Sequence, residues 1–303
     1  MPNPPPAANL EWTVLKLLQW AADFLKERGI DSPRSTAELL LAHALDTDRV
    51  QLYVRHDQPL EKPELFVFKQ QLLRRLRREP AAYILGRKGF WTLDLTVTPD
   101  VLIPRPETEC LVEAALVVLK RHPAGRRGRV LDLGTGSGAI VLALAVEAPE
   151  HCYFACDISP AAVVIAGRNA RQAGVSGCVH FWAASWYSAL KPGRAVFDLI
   201  VSNPPYVPSA AIDRLAPEIA LHEPRLALDG DADGLRSYRA LIGEADRYLA
   251  PGGSLLLEIG ADQRTAVQQL AEQAGAYEGF GWSRDYSGHD RVVWLRKKDV
   301  AIR

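Results

Sequence analysis

The chain carries no net charge: Lys and Arg number 36, and so do Asp and Glu. Proteins that hold nucleic acid through its phosphates usually carry a basic excess, so a dedicated DNA binder is disfavoured, although a local basic patch remains compatible. Cysteine is scarce. The four cysteines, Cys110, Cys152, Cys156 and Cys178, form no Cys-x-x-Cys pair, and Cys152 and Cys156 have no matching second pair or His-x-x-x-His downstream. That pattern reads as reduced thiols in a cytosolic protein and gives no metal site. No uncharged apolar stretch is long enough to span a bilayer, so no membrane partner is expected. The opening run Met1-Pro2-Asn3-Pro4-Pro5-Pro6 lacks the basic region and apolar core of a signal peptide, and a cytoplasmic location is expected.

What is present is an ordinary globular composition. Of 303 residues, 48% are hydrophobic and 24% charged, enough for a sizeable core in two domains or in one large domain with an extension. Up to about residue 85 the pattern is helical. Leu15, Leu18, Ala22 and Leu25 recur at helical spacing and Gly29 closes the segment. Ser35 and Glu38 read as a capping box before Leu39-Leu40-Leu41. A third helix begins near Pro63 and carries Leu65, Phe68, Leu72 and Leu76 on one face. Residues 1–85 are therefore expected to form a small helical substrate-recognition domain, 86–100 a β-hairpin connector rich in glycine and aromatics, and 101–303 a larger α/β domain.

That larger part opens with a helix from about Pro106 to Lys120 and then alternates strand and helix. Strands are predicted at Val130–Leu133, Tyr153–Asp157, Val179–Ala183, Phe197–Ser202 and Gly253–Ile259. Helices are predicted after the first two strands, at Leu235–Leu249 and at Arg264–Ala274. Alternation of this kind dictates a doubly wound, mostly parallel sheet with helices on both faces. Gly279–Tyr286 and Arg291–Leu295 close it as a hairpin and bring the expected strand number to seven.

Two strand ends carry chemistry. Asp132-Leu133-Gly134-Thr135-Gly136-Ser137-Gly138 joins the first strand to its helix, where glycines let the backbone turn sharply and approach a ligand. Asp157, ending the second strand, is placed to accept hydrogen bonds from both ribose hydroxyls of an adenosine. By itself this arrangement fits a dinucleotide as well as S-adenosylmethionine, and its bland alternative is a tight turn that binds nothing.

Asn203-Pro204-Pro205-Tyr206 follows the fourth strand directly. Its two prolines stiffen the backbone and remove two N–H donors, leaving the Asn203 side-chain oxygen and the Pro204 carbonyl as acceptors and Tyr206 as an aromatic face. Those features suit a planar nitrogen that is a poor nucleophile. Two fixed acceptors hold its N–H bonds and turn its lone pair towards an electrophilic methyl. A plain proline turn is the alternative. A dinucleotide enzyme has no need of this element, so the pair of motifs favours S-adenosylmethionine.

With these segments in hand, the sequence resembles the PrmC/HemK family of protein-(glutamine-N5) methyltransferases acting on peptide chain release factors. The resemblance rests on Leu102-Ile103-Pro104-Arg105-Pro106-Glu107-Thr108-Glu109, Asp132–Gly138, Asn203–Tyr206, and Glu223-Pro224-Arg225-Leu226-Ala227-Leu228 with Asp233-Gly234-Leu235, and it covers nearly the whole chain. It implies that Gly134, Thr135, Gly136, Ser137 and Gly138 cradle the methionine part of S-adenosylmethionine. Asp157 would hold the ribose, Trp186 would lie near the adenine, and Asn203, Pro204, Pro205 and Tyr206 would bind the target glutamine, with Asn203, Pro204 and Tyr206 catalytic and Asn203 also touching the cofactor. It implies release factors as the protein partner, with nucleic acid met only indirectly through the ribosome. One departure is Ser185, where the family often has an acid that contacts adenine.

An adenine-N6 methyltransferase acting on DNA or RNA is the first rival, because the Asn-Pro-Pro-Tyr motif suits adenine equally. Neutral charge and the lack of an added recognition domain weigh against it. A non-catalytic binding module is the second rival, and the intact motif weighs against that. Arg74-Arg75-Leu76-Arg77-Arg78 reads as a solvated helix face rather than an RNA contact. His222-Glu223 and His289-Asp290 lie near no Ser or Cys in a nucleophile turn.

Overall fold

The computed structural model describes residues 12–122, 126–192 and 196–299, so the proline-rich run Met1–Pro6 lies outside the described residues. Two compact units emerge: Met1–Gly86 together with Pro217–His222, and Arg87–Ala216 together with Glu223–Arg303.

The first unit packs helices Val14–Glu27, Pro33–Ala44, Arg49–Val54, Lys62–Leu76 and Ala81–Leu85 around a core that includes Leu18, Leu25, Leu40, Leu41, Phe68 and Leu72. The first helix buries Val14, Leu17, Leu18, Ala21 and Leu25. Of the stripe read from the sequence, Leu15 and Ala22 are only half-buried, because the apolar arc begins one residue earlier, at Val14. The capping box expected at Ser35 and Glu38 does not form. Pro33 takes the first helical position after Ser32, so Ser35 lies inside the helix. Glu38 turns inward instead, buried and ion-paired with Arg34 at 2.8 Å and with Arg49. A capping box does exist two helices later, where Glu61 and Glu64 open Lys62–Leu76.

The arginine cluster is only partly a solvated face: Arg74 and Arg77 are exposed and Arg78 is half-buried. Arg75 is buried and paired with Glu218 at 2.8 Å, Arg74 grips Glu79, and Arg78 reaches the carbonyls of Gly29 and Arg28 at 2.8 and 2.9 Å. The Arg77 carbonyl meets His222 Nε2 at 2.9 Å. These side chains tie the Pro217–His222 turn and the end of the long helix into one body.

The second unit begins with an antiparallel hairpin, β1 (Arg87–Phe90) and β2 (Leu93–Thr96). A 3-10 turn at Pro106–Thr108 leads into the helix Glu109–Lys120. The main sheet has seven strands: β3 (Arg129–Leu133), β4 (Cys152–Asp157), β5 (Val179–Ala183), β6 (Phe197–Ser202), β7 (Leu249–Glu258), β8 (Tyr277–Arg284) and β9 (Asp290–Lys297). Their spatial order is β5-β4-β3-β6-β7-β9-β8, parallel except for β9, which pairs antiparallel with both β7 and β8. The order reverses between β3 and β6, which pair through Val130–Asp132 and Leu199–Val201. In an open α/β sheet that reversal opens a crevice at the carboxyl ends of the strands.

Two apolar cores, built around Leu142, Leu144 and Tyr153 and around Tyr238, Leu241 and Leu257, cover the sheet. The continuous apolar run Ala139–Ala145 explains the buried central helix Ala139–Glu147. One predicted helix ends early. Arg236–Glu244 gives way to a 3-10 turn at Ala245–Arg247, and β7 starts at Leu249, before the predicted Gly253. The helix Arg264–Ala274 stands where it is predicted, closed by Gly275 in the left-handed conformation.

Candidate active site

The sequence folds the glycine turn as the chemistry of glycine requires. Gly134, Gly136 and Gly138 have φ of 74°, 55° and 86°, a region that other residues enter only with strain. The turn is braced from below: buried Asn169 donates to the carbonyls of Ser137 at 2.8 Å and Thr96 at 3.0 Å, joining it to β2. From above, the Trp186 ring lies where a Cβ on Gly134 would touch it at 3.4 Å. Around Gly136 a Cβ would meet nothing within 4 Å, because that glycine faces open space.

That space is a cavity of about 700 Å³. It is lined by Gly134, Thr135, Gly136, Ser137, Asp157, Ser185, Trp186, Asn203 and Pro205, with Arg105, Thr108 and Arg236. The structure thus brings the two sequence motifs to one chamber. Gly138 stands apart from the lining as the left-handed cap of the central helix, with Leu142 and Ala166 beside it. Pro204 is buried, and neither it nor Tyr206 lines the chamber. The Tyr206 hydroxyl points to Glu258 Oε1 at 3.4 Å, and burial pushes its pKa up to about 12. The aromatic face expected for substrate is instead packed partly against the core of Tyr238 and Leu257.

Asp157 accepts backbone N–H groups from Gly136 on Oδ2 and Ser159 on Oδ1, each at 2.9 Å. Each oxygen keeps lone-pair capacity for a hydroxyl. Burial raises its pKa, and those two N–H donors oppose the shift. Asp132 is fully buried; its Oδ2 accepts from the Thr135 hydroxyl at 2.7 Å, while Oδ1 has no partner. Desolvation pushes its pKa up to about 7. On the other side Asn203 Nδ2 donates to Thr108 Oγ1 at 3.1 Å.

The donor set fits S-adenosylmethionine. An open glycine edge suits the methionine chain, a pre-positioned carboxylate suits the ribose, an aromatic ring bounds the chamber, and the orphaned Asp132 Oδ1 is a buried acceptor beside the turn. Sequence reasoning gave no role to Asp132, Thr108 or Glu258. The first two sit inside quoted motifs, but the signal for Glu258 is only its place at the carboxyl end of β7. Among the described residues no group of three or more His, Cys, Asp or Glu could hold a metal ion, and no helix is long and apolar enough to cross a membrane.

Sheet order, glycine edge and chamber together define a Rossmann-like methyltransferase that uses S-adenosylmethionine. Residues 16–86 match the PrmC N-terminal domain and residues 111–231 the methyltransferase small domain. A release factor glutamine methyltransferase of Geobacter sulfurreducens is 44% identical over 282 residues, covering 93% of this chain and 96% of the relative. One from Caulobacter vibrioides is 43% identical and covers 93% and 95%. The chain belongs to the family of release factor glutamine methyltransferases. Among solved structures, the hMettl16 catalytic domain in complex with an RNA hairpin superposes with a TM-score of 0.55 at 13% identity, covering 81% of this chain and 86% of that one, a likeness of fold alone.

Proposed function

We propose that this enzyme transfers a methyl group from S-adenosylmethionine to the side-chain amide N5 of a glutamine in a peptide chain release factor, in the cytoplasm where that substrate works. The observation that carries the reading is the position of Asn203: its side chain lines the chamber of the glycine edge while its Nδ2 is held by Thr108. With the NH2 end engaged, Oδ1 is the end left to receive an N–H from substrate.

When bound, S-adenosylmethionine supplies an electrophilic methyl on a sulfonium sulfur. The chain's own residues orient the acceptor. Asn203 Oδ1 and the Pro204 carbonyl take the two N–H bonds of the glutamine amide, which favours a pyramidal nitrogen and frees its lone pair. Pro204 and Pro205 keep that corner rigid and without N–H donors. With the amide held by Asn203 and Pro204, one N–H proton would be free to leave to solvent after the methyl is accepted. No strong base is required. Tyr206 packs behind this corner, its hydroxyl near Glu258 and, with a pKa of about 12, neutral.

Mass spectrometry of a release factor incubated with enzyme and cofactor should show one methyl added to a glutamine. Labelled methyl appearing on duplex DNA or RNA in a parallel reaction, with none on the release factor, would favour the adenine-N6 reading and overturn this one.

A further inference from the structure

Proline has no N–H, so the turn Asn203–Tyr206 has few backbone donors with which to grip its surroundings. It must be held largely from outside, by donors aimed at its carbonyls. At the end away from Asn203 such a donor is in place: Gln263 Nε2 donates to the Tyr206 carbonyl at 3.0 Å. One residue further on the backbone is secured on its own account. The Val207 N–H reaches the Leu228 carbonyl at 2.9 Å, and the Val207 carbonyl receives the Gly230 N–H at 2.8 Å.

Gln263 is itself fixed on the other side. It is the N-cap of the helix Arg264–Ala274, and its backbone donates to the Gly260 carbonyl and accepts from the Val267 N–H, each at 3.0 Å. Its side chain makes no capping bond to that helix. Instead Oε1 accepts the Gly260 N–H at 3.0 Å and faces the Tyr238 hydroxyl at 3.2 Å, while Nε2 also donates to the Gly234 carbonyl at 3.3 Å. These partners fix the orientation of the amide, because a flipped one would set its oxygen against two carbonyls and its NH2 against an N–H. The space beside the bond is kept by glycine. Gly234 has φ of 73°, and a Cβ there would run into the Tyr206 carbonyl oxygen and stand 2.8 Å from Gln263 Nε2.

We propose that Gln263 is a positioning residue for methyl transfer: by holding the Tyr206 carbonyl it sets the tilt of the proline corner, and with it the aim of Asn203 Oδ1 and the Pro204 carbonyl. Two adjacent prolines make the corner stiff, so a shift at Tyr206 is passed on to those acceptors instead of being absorbed between them. The amide divides its work. Its acceptor half anchors Gln263 to Gly260, and its donor half holds the turn. This inference deepens the function proposed above and rests on the role given there to Asn203.

The test compares Gln263→Glu, Gln263→Met and Asn203→Ala with the wild type, measuring kcat and KM on purified release factor and cofactor Kd by calorimetry. Gln263→Glu keeps the acceptor half and replaces the donor half by a carboxylate oxygen that faces two carbonyls. At about pH 8 its kcat should fall about 10- to 100-fold through misaimed acceptors, with cofactor Kd within about twofold. Protonation restores one O–H donor, and the two carbonyls favour the neutral form, so the deficit relative to wild type should shrink to within about threefold by about pH 6. Gln263→Met has similar length and no donor at any pH. Its kcat should be low throughout that range, and it stands in if Gln263→Glu is poorly folded. A dead Asn203→Ala beside wild-type kcat in both Gln263 variants would overturn the positioning role alone. So would a Gln263→Glu deficit that does not change with pH, or a loss of cofactor affinity matching the loss in kcat. An active Asn203→Ala would instead overturn the function on which the inference rests.

Discussion

The turns that follow β3 and β6 lie on neighbouring strands of one sheet and line one chamber, yet they are built by opposite means. After β3 the chain uses three left-handed glycines, so the backbone itself comes to the surface with no side chain in the way. After β6 it uses two prolines, which withdraw N–H groups and leave carbonyls and one amide side chain. The first turn is permissive and shaped by its braces, Asn169 and the Trp186 ring. The second is stiff in itself. The contrast divides the labour: the open glycine edge suits the cofactor and the acceptor-rich edge suits the nitrogen to be methylated.

If the division is real, the two turns should fail differently. The largest effect is expected from Asn203→Ala, with kcat on a release factor lowered about 10²–10³-fold. Calorimetry should still find cofactor Kd within about twofold, because that residue's acceptor belongs to the substrate side. A comparable loss of cofactor affinity would erase the distinction. Gly134→Ala should do the reverse. Its φ of 74° costs a residue with a Cβ about 1–2 kcal/mol, and the added carbon presses on the Trp186 ring. Thermal unfolding should come lower and cofactor Kd rise about tenfold, with kcat at saturating cofactor largely retained.

A smaller effect is a pH dependence that each side carries separately. Burial pushes Asp132, on the glycine side, and Glu258, on the proline side, up to about 7 from ordinary carboxyl values of 3.8 and 4.5. A carboxyl whose pKa is raised by folding favours the folded state while protonated. That contribution is full below the unfolded value and is lost as pH rises through the folded value. The unfolding temperature of the cofactor-free enzyme should therefore decline between about pH 4 and 7. Asp132→Asn and Glu258→Gln should each flatten the decline, additively if the turns are independent. The smallest effect is expected at Ser185, exposed on the chamber's rim. Ser185→Asp should tighten cofactor binding by about two- to fivefold, the net worth of one added hydrogen bond of about 0.5–1 kcal/mol. A larger gain would mean the adenine side of the chamber is less complete than its geometry suggests.

Much of the fold was legible because its signals are local. Short apolar strands alternating with helices dictate the parallel sheet, and a glycine cluster at the end of β3 marks the turn whatever the rest of the chain does. The chamber's membership was legible for Gly134–Ser137, Asp157, Trp186, Asn203 and Pro205 because each belongs to a motif at a strand end. The inward packing of Tyr206 was not, since an aromatic after two prolines reads the same whether it faces ligand or core. Glu258 escaped for a different reason. Nothing near it in sequence reveals that the Tyr206 hydroxyl reaches it, because that residue comes from another strand's end. The same blindness applies to Ser35 and Glu38, where a local capping pattern lost to a long-range pairing of Glu38 with Arg49. It also applies to Arg75, whose partner Glu218 lies far along the chain.

Two adjacent prolines at the β6 corner have a consequence for substrate choice. A glutamate differs from a glutamine by little in shape, but it presents oxygen where the amide presents N–H. Against the Asn203 and Pro204 oxygens such a side chain would meet lone pairs where an amide presents N–H. It would be turned away by electrostatic mismatch before its lack of a nucleophilic nitrogen mattered. The corner is a filter for one isostere over another, made by subtracting two hydrogens from the backbone.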